Sequence, residues 1–129
     1  MSEERLDRKV TVILATDVVG YSRHVEENES LTIKTYSARE VILRTLIEDF
    51  EGRVFNTGGD SVLAEFSSAV DAVECAAAFQ LRIAEINSQP DTECRLEFRI
   101  GVNMGDVIQK DTDLLGDGVN IAARLEAFA

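Results

Sequence analysis

The sequence contains no tryptophan, one proline (Pro90), one histidine (His24) and two cysteines (Cys75 and Cys94). Each scarcity excludes something. One proline leaves no room for a proline-rich linker. Two scattered cysteines make neither a disulfide framework nor a metal-ligand spacing, so a reduced, cytoplasmic chain is expected. One histidine without a partner at ligand spacing argues against a Ser-His-Asp arrangement, and a solvated loop position suits His24 better. No apolar window of ~18 residues is present, so no membrane span is expected. The charged start, Met-Ser-Glu-Glu-Arg, lacks the apolar stretch of a secretory signal. No G-x-x-x-x-G-K-[ST] run occurs, which excludes a P-loop nucleotide site.

Basic residues are also few. Lys and Arg total 13 against 24 Asp and Glu, for a net charge of −11. Such a surface repels phosphate backbones and anionic membranes, so neither nucleic acid nor lipid is an expected partner. A small phosphorylated substrate stays possible if a local cation offsets the field. The length, 129 residues, fits one domain.

Along the chain, residues 10–15 form a β-branched apolar run that suits a strand buried on both faces. It ends at Asp17, and a turn centred on Gly20 follows at 18–22. An acidic stretch at 26–30 leads into a helix to about Phe50, with Leu43, Leu46, Ile47 and Phe50 on one face. Gly52 stands where a helix commonly stops. Residues 53–56 and 62–66 read as a hairpin joined by Thr57-Gly58-Gly59-Asp60-Ser61. Ser68 with Asp71 is a helix-start signature. The helix runs to about Asn87 on a stripe of Ala69, Ala72, Ala76, Phe79, Ile83 and Ile86. A strand is expected over 96–103, with a break at Gly105-Asp106 and continuation over 107–109. Residues 111–116 read as a loop, and a last helix begins at Gly118. The order β-α-β-β-α-β-α predicts an α+β sandwich with helices on a mainly antiparallel sheet.

Four features could carry chemistry. Asp17 ends an apolar strand, where a carboxylate is costly unless paired or bound to a metal; alone, a turn or helix-cap role is the plainer reading. Asp60 alone is ordinary turn chemistry. If the first strand lies beside the hairpin, the two carboxylates meet. Together with phosphate oxygens they make a hard-oxygen site for Mg²⁺ or Mn²⁺. Asn120 and Arg124 share a helix face four residues apart, an arrangement suited to ribose and phosphate. Asp113 precedes Leu-Leu-Gly and alone is a loop acid.

Together these pieces resemble the catalytic domain of class III nucleotidyl cyclases, the adenylate/guanylate cyclase family. Residues 12–22 look like its first strand and phosphate loop, and residues 52–66 (Gly-Arg-Val-Phe-Asn-Thr-Gly-Gly-Asp-Ser-Val-Leu-Ala-Glu-Phe) look like its metal-binding hairpin. Residues 99–107 (Arg-Ile-Gly-Val-Asn-Met-Gly-Asp-Val) and 115–126 (Leu-Gly-Asp-Gly-Val-Asn-Ile-Ala-Ala-Arg-Leu-Glu) resemble two further family segments in the same order.

The resemblance implies a palm-type, ferredoxin-like fold and cyclisation of ATP, with GTP less favoured, to a 3′,5′-cyclic nucleotide and pyrophosphate. It implies two divalent ions, Mg²⁺ or Mn²⁺, on Asp17, Asp60 and the Val18 carbonyl. Amides of Val19, Gly20, Tyr21 and Ser22 would cradle phosphates. Asn120 would orient the ribose and Arg124 would stabilise charge on the α-phosphate. Active sites would form at the interface of a head-to-tail homodimer.

Two departures stand out. Asp113 falls on the adenine-reading Asp position, but Asn56 replaces the usual Lys and can present either its amide or its oxygen. The family domain also continues past this helix, so one cyclase domain over 1–129 would be incomplete at its C-terminus. The competing reading is a catalytically weak, dimerising regulatory module. Gly58-Gly59-Asp60 also resembles the Gly-Gly-Asp-Glu-Phe turn of diguanylate cyclases, but Ser61-Val62 replaces Glu-Phe and the segment around Asn120 has no place there.

Overall fold

The structure, a computed structural model, describes residues 7–110, 113–116 and 119. Five strands form one sheet in the order β2-β3-β1-β4-β5, with every neighbouring pair antiparallel. The central strand is β1 (Asp7–Val18). Its apolar run explains that place: Val12, Ile13, Leu14 and Ala15 are each at most 2% exposed. Side chains alternate along a strand. Val12, Leu14 and Val18 therefore join the helix-side core, while Ile13 and Ala15 join Val107 and Leu114 on the opposite face. A strand covered on both sides reads as a continuous apolar run.

The turn after β1 is shorter than expected. Helix α1 (Tyr21–Glu27) starts directly after Val19 and Gly20, and α2 (Glu29–Asp49) follows after one residue. That residue is Asn28, extended at φ −162°, whose side chain accepts the Leu31 N–H at 3.2 Å and caps α2. The acidic stretch expected as a lead-in is thus largely helical. Glu is a good helix former and α1 buries none of its residues, so composition alone reads as loop.

Gly52 does not supply the left-handed helix stop; Glu51 takes that conformation, at φ 63°. Gly52 is needed for space instead. A Cβ there would sit 2.5 Å from Phe66 Cε2 and 2.9 Å from Ile47 Cγ2. It lets the end of α2 press on the hairpin of β2 (Arg53–Thr57) and β3 (Val62–Phe66). The hairpin register shifts between Val54 and Asn56, which leaves Phe55 as a bulge.

Ser68 caps α3 (Ala69–Asn87) by accepting the Asp71 N–H at 3.3 Å, as the sequence predicts. The buried face is Ala72, Cys75, Phe79 and Ile83, with Ala69 and Ala76 half-buried. Cys75 belongs to the stripe because a free cysteine behaves as a small hydrophobe. Burial pushes its thiol up to about 11, with a smaller contribution from Asp49.

Strand β4 (Phe98–Lys110) runs without the expected break. Gly105 and Asp106 stay in register opposite Thr11 and Val10, because β1 is long enough to carry the ladder past them. The expected loop at 111–116 contains a short strand instead, β5 (Asp113–Leu115), paired to the end of β4 with Leu114 buried. The predicted last helix lies outside the described residues except for Val119, which is helical. The α+β sandwich with an antiparallel sheet stands as expected.

Candidate active site

The face of the sheet turned away from α2 and α3, on which the helical Val119 packs, carries polar groups at both ends. At one end Glu65 receives Lys9 Nζ at 3.0 Å and Arg53 Nε at 2.9 Å, and Thr11 Oγ1 lies 3.3 Å from Glu65 Oε2. Burial by itself would raise this carboxyl, but the two cations outweigh it and hold Glu65 below the ordinary glutamate range. At the other end stands Asp17, with Asp60 beside the end of its strand.

Asp17 shares the face turned away from α2 and α3 with Ile13 and Ala15 by strand alternation. In register it lies directly opposite Arg99 on β4. The guanidinium takes the carboxylate in a fork: Nε donates to Oδ1 at 2.9 Å and Nη2 donates to Oδ2 at 2.8 Å. The two side chains are only 23% and 30% exposed. The costly strand-end carboxylate is thus paired, and its partner is a residue to which sequence reasoning gave no role. The signal was present in the Arg-Ile-Gly segment, but it needed the register of two strands far apart in sequence.

Asp60 comes to the same place from the hairpin. The Gly58 N–H donates to the Ser61 carbonyl at 3.0 Å and closes the turn. β3 pairs along β1 as far as Val62 opposite Thr16, so the turn overhangs the end of β1. There the Val18 N–H donates to Asp60 Oδ2 at 3.2 Å. The structure therefore brings the Asp60 carboxylate to the residue that follows Asp17.

Behind this corner lies an aromatic chain. Tyr36 packs edge-on to Tyr21 at 6.0 Å and stacked with Phe98 at 6.3 Å, and Phe98 meets Phe79 edge-on at 5.0 Å. Burial, then the negative charges of Glu40 and Asp60, drive the Tyr36 hydroxyl well above the ordinary tyrosine range, so it stays neutral.

The predicted phosphate loop is narrower than expected. The Val19 N–H already donates to the Glu97 carbonyl at 2.8 Å, so its amide is spent on the fold. Gly20 adopts the left-handed conformation, φ 62° and ψ 37°, which glycine accepts without penalty. Tyr21 and Ser22 open α1, where the first N–H groups of a helix lack intrahelical partners.

Asn56 is exposed and stands opposite Leu63, on the face turned away from α2 and α3. Asp113 opens β5, half-buried, and accepts the Leu114 N–H on Oδ1 at 2.8 Å. Their neighbours Phe55 and Leu114 both pack into the cluster around Ile13 and Ala15, so the two edge strands bend over one face. Asn120 and Arg124 lie outside the described residues.

Among the described residues no three His, Cys, Asp or Glu side chains group into a ready metal cage. Two carboxylates still suit Mg²⁺, which commonly uses one or two of them with phosphate oxygens and water. Each ionised carboxylate oxygen has more than one acceptor position, so the fork from Arg99 leaves acceptor capacity on Asp17. The donor set fits a hard divalent ion.

Comparison with known proteins shows the family. The profile of the adenylate and guanylate cyclase catalytic domain family matches residues 3–129. A Rhizobium meliloti protein provisionally named adenylate cyclase 3 is 48% identical over 130 residues, covering 100% of this chain and 22% of that protein. An adenylate cyclase from Streptomyces coelicolor is 31% identical over 128 residues, covering 98% of this chain and 32% of that protein. The chain thus spans under a third of either curated relative. The crystal structure of an adenylate/guanylate cyclase/hydrolase from Silicibacter pomeroyi superposes with a TM-score of 0.86 at 37% identity, over 97% of this chain and 73% of that one.

Proposed function

The chain belongs to the adenylate and guanylate cyclase catalytic domain family, and from that premise we propose that it converts ATP, in preference to GTP, to the 3′,5′-cyclic nucleotide and pyrophosphate. The observation that carries this reading is the approach of the Asp60 carboxylate to Val18, the residue that follows Asp17, at the end of β1.

Asp17 and Asp60 hold the two divalent ions, Mg²⁺ or Mn²⁺, together with the Val18 carbonyl. Bound there, such ions supply acidity at the ribose 3′-hydroxyl and positive charge at the departing pyrophosphate. The amides of Gly20, Tyr21 and Ser22 bind phosphate oxygens at the start of α1. Asn120 orients the ribose so that its 3′-oxygen lies in line with the α-phosphorus. Arg124 places its guanidinium on the α-phosphate, where charge grows in the transition state. Asp113 accepts from the adenine 6-amino group. Asn56 donates its amide to a ring nitrogen, a shorter and uncharged substitute for lysine, so preference for ATP is modest.

The enzyme acts as a cytoplasmic homodimer whose partner subunit completes each site. Among the described residues no helix is long and apolar enough to cross a membrane.

The test is turnover of ATP and of GTP with Mn²⁺ by the intact protein. Cyclic AMP should form faster than cyclic GTP. No product from either nucleotide would overturn the enzyme and favour a dimerising regulatory module, a reading that Asn56 supports. The shared site has its own test: chains carrying Asp60→Ala and Arg124→Ala, each inactive, should regain activity on mixing, because one site of the heterodimer is intact. Failure to recover would place each site within one chain.

A further inference from the structure

The two carboxylates at the corner are held in different ways. Asp60 is fixed by a backbone N–H, which has no net charge. Asp17 is fixed by a cation that takes both of its oxygens. The fork is built into the sheet, since Asp17 and Arg99 are register partners on β1 and β4. Both side chains are largely withdrawn from water, so solvent screens the pair only in part.

We propose that Arg99 gates the cation site: its guanidinium holds Asp17 as an internal counter-ion, and a divalent ion must compete with it for that carboxylate. The proposal rests on the reading of Asp17 as a metal-holding residue. A free divalent ion arriving at Asp17 meets the guanidinium positive charge at close range. The repulsion weakens its binding and favours withdrawal of the fork. An ion that arrives already carrying phosphate oxygens brings little or no net positive charge and meets less repulsion. Arg99 therefore keeps the corner from filling with the ion alone and couples filling to nucleotide. It also keeps Asp17 aimed and charge-compensated in the interval. Arg99 is a positioning residue in this role.

The test reads binding in the absence of nucleotide. Mn²⁺ is titrated into the intact protein, and free Mn²⁺ is followed by its electron paramagnetic resonance signal. Arg99→Gln removes the competing charge and should tighten Mn²⁺ binding by about tenfold or more, the scale of one unit charge a few ångströms away. Arg99→Lys keeps the charge but loses the fork, and should fall between the two. With ATP present the gap between parent and Arg99→Gln should narrow, because phosphate oxygens offset the ion's charge. As a check that folding is retained, Mn²⁺ should raise the melting temperature of Arg99→Gln more than that of the parent.

Equal or weaker Mn²⁺ binding by a folded Arg99→Gln overturns the gate while leaving the two-carboxylate site standing. Absence of Mn²⁺ binding in both parent and Arg99→Gln, or binding unaffected by Asp17→Asn, overturns the site itself and the gate with it.

Discussion

Asp17→Asn is expected to lower cyclic-nucleotide formation by roughly a thousandfold in kcat/KM, because on the proposed mechanism the ion charge it would help to hold supplies several kcal/mol of transition-state stabilisation, at 1.36 kcal/mol per factor of ten. The change removes one negative charge and little volume. Asn still offers Arg99 a carbonyl oxygen, so the join between β1 and β4 survives with one bond of the fork lost. Asp60→Asn should act to a similar degree. Its amide oxygen can keep the Val18 N–H, so the hairpin turn stays in place. The double variant should be scarcely worse than either single one, since the two carboxylates act as a unit and their effects do not add. Asp91→Asn, on an exposed loop, should leave the rate unchanged. The measurement is initial product formation from ATP with Mn²⁺ for the parent and the four variants. A folded Asp17→Asn that keeps more than a tenth of the parent rate would show that the corner does not hold the ions.

How far this arrangement was legible depends on how local each signal is. The run at 10–15, the Gly-Gly-Asp turn and the Ser68 cap are local, and the structure follows them. The approach of Asp60 to the end of β1 depends on the first strand lying beside the hairpin, as it does in the sheet order. Helix α1 is hard to read because none of its residues is fully buried and only Tyr21 packs half-buried on the core, so no apolar stripe marks it. Strand β5 was missed because three residues carry no periodicity, and only its pairing to β4 defines it. The Arg-Ile-Gly segment alone gives Arg99 no role, since its partner is fixed by a register 82 residues away in sequence. Such information lies in the ladder between β1 and β4, not in either segment. Asn120 and Arg124 rest on the resemblance, as they lie outside the described residues.

Phe79→Ala is expected to cost about 3–5 kcal/mol of folding stability, the usual range for truncating a buried phenylalanine. That is a large part of the ~5–15 kcal/mol typical of a domain. Phe79 is fully buried on the inner face of α3, and its ring meets Phe98 edge-on at 5.0 Å. Phe98 opens β4 directly opposite Val18 and precedes Arg99, so it stands behind the corner that holds Asp17. Tyr36 covers its other side. Removing the Phe79 ring would leave Phe98 without its packing partner on the α3 side. The lost stability should appear as a lower denaturant midpoint with an unchanged slope, which marks a change in stability and not in the compactness of either state. Phe79→Leu keeps most of the volume and should cost clearly less. A loss below about 1 kcal/mol for Phe79→Ala, beneath the range for such truncations, would contradict the packing described. The Asp17–Arg99 fork is set by backbone register and not by the Phe79 ring. Under conditions where Phe79→Ala remains folded, its Mn²⁺ affinity should therefore match the parent, which separates the core behind the site from the charges that work in it.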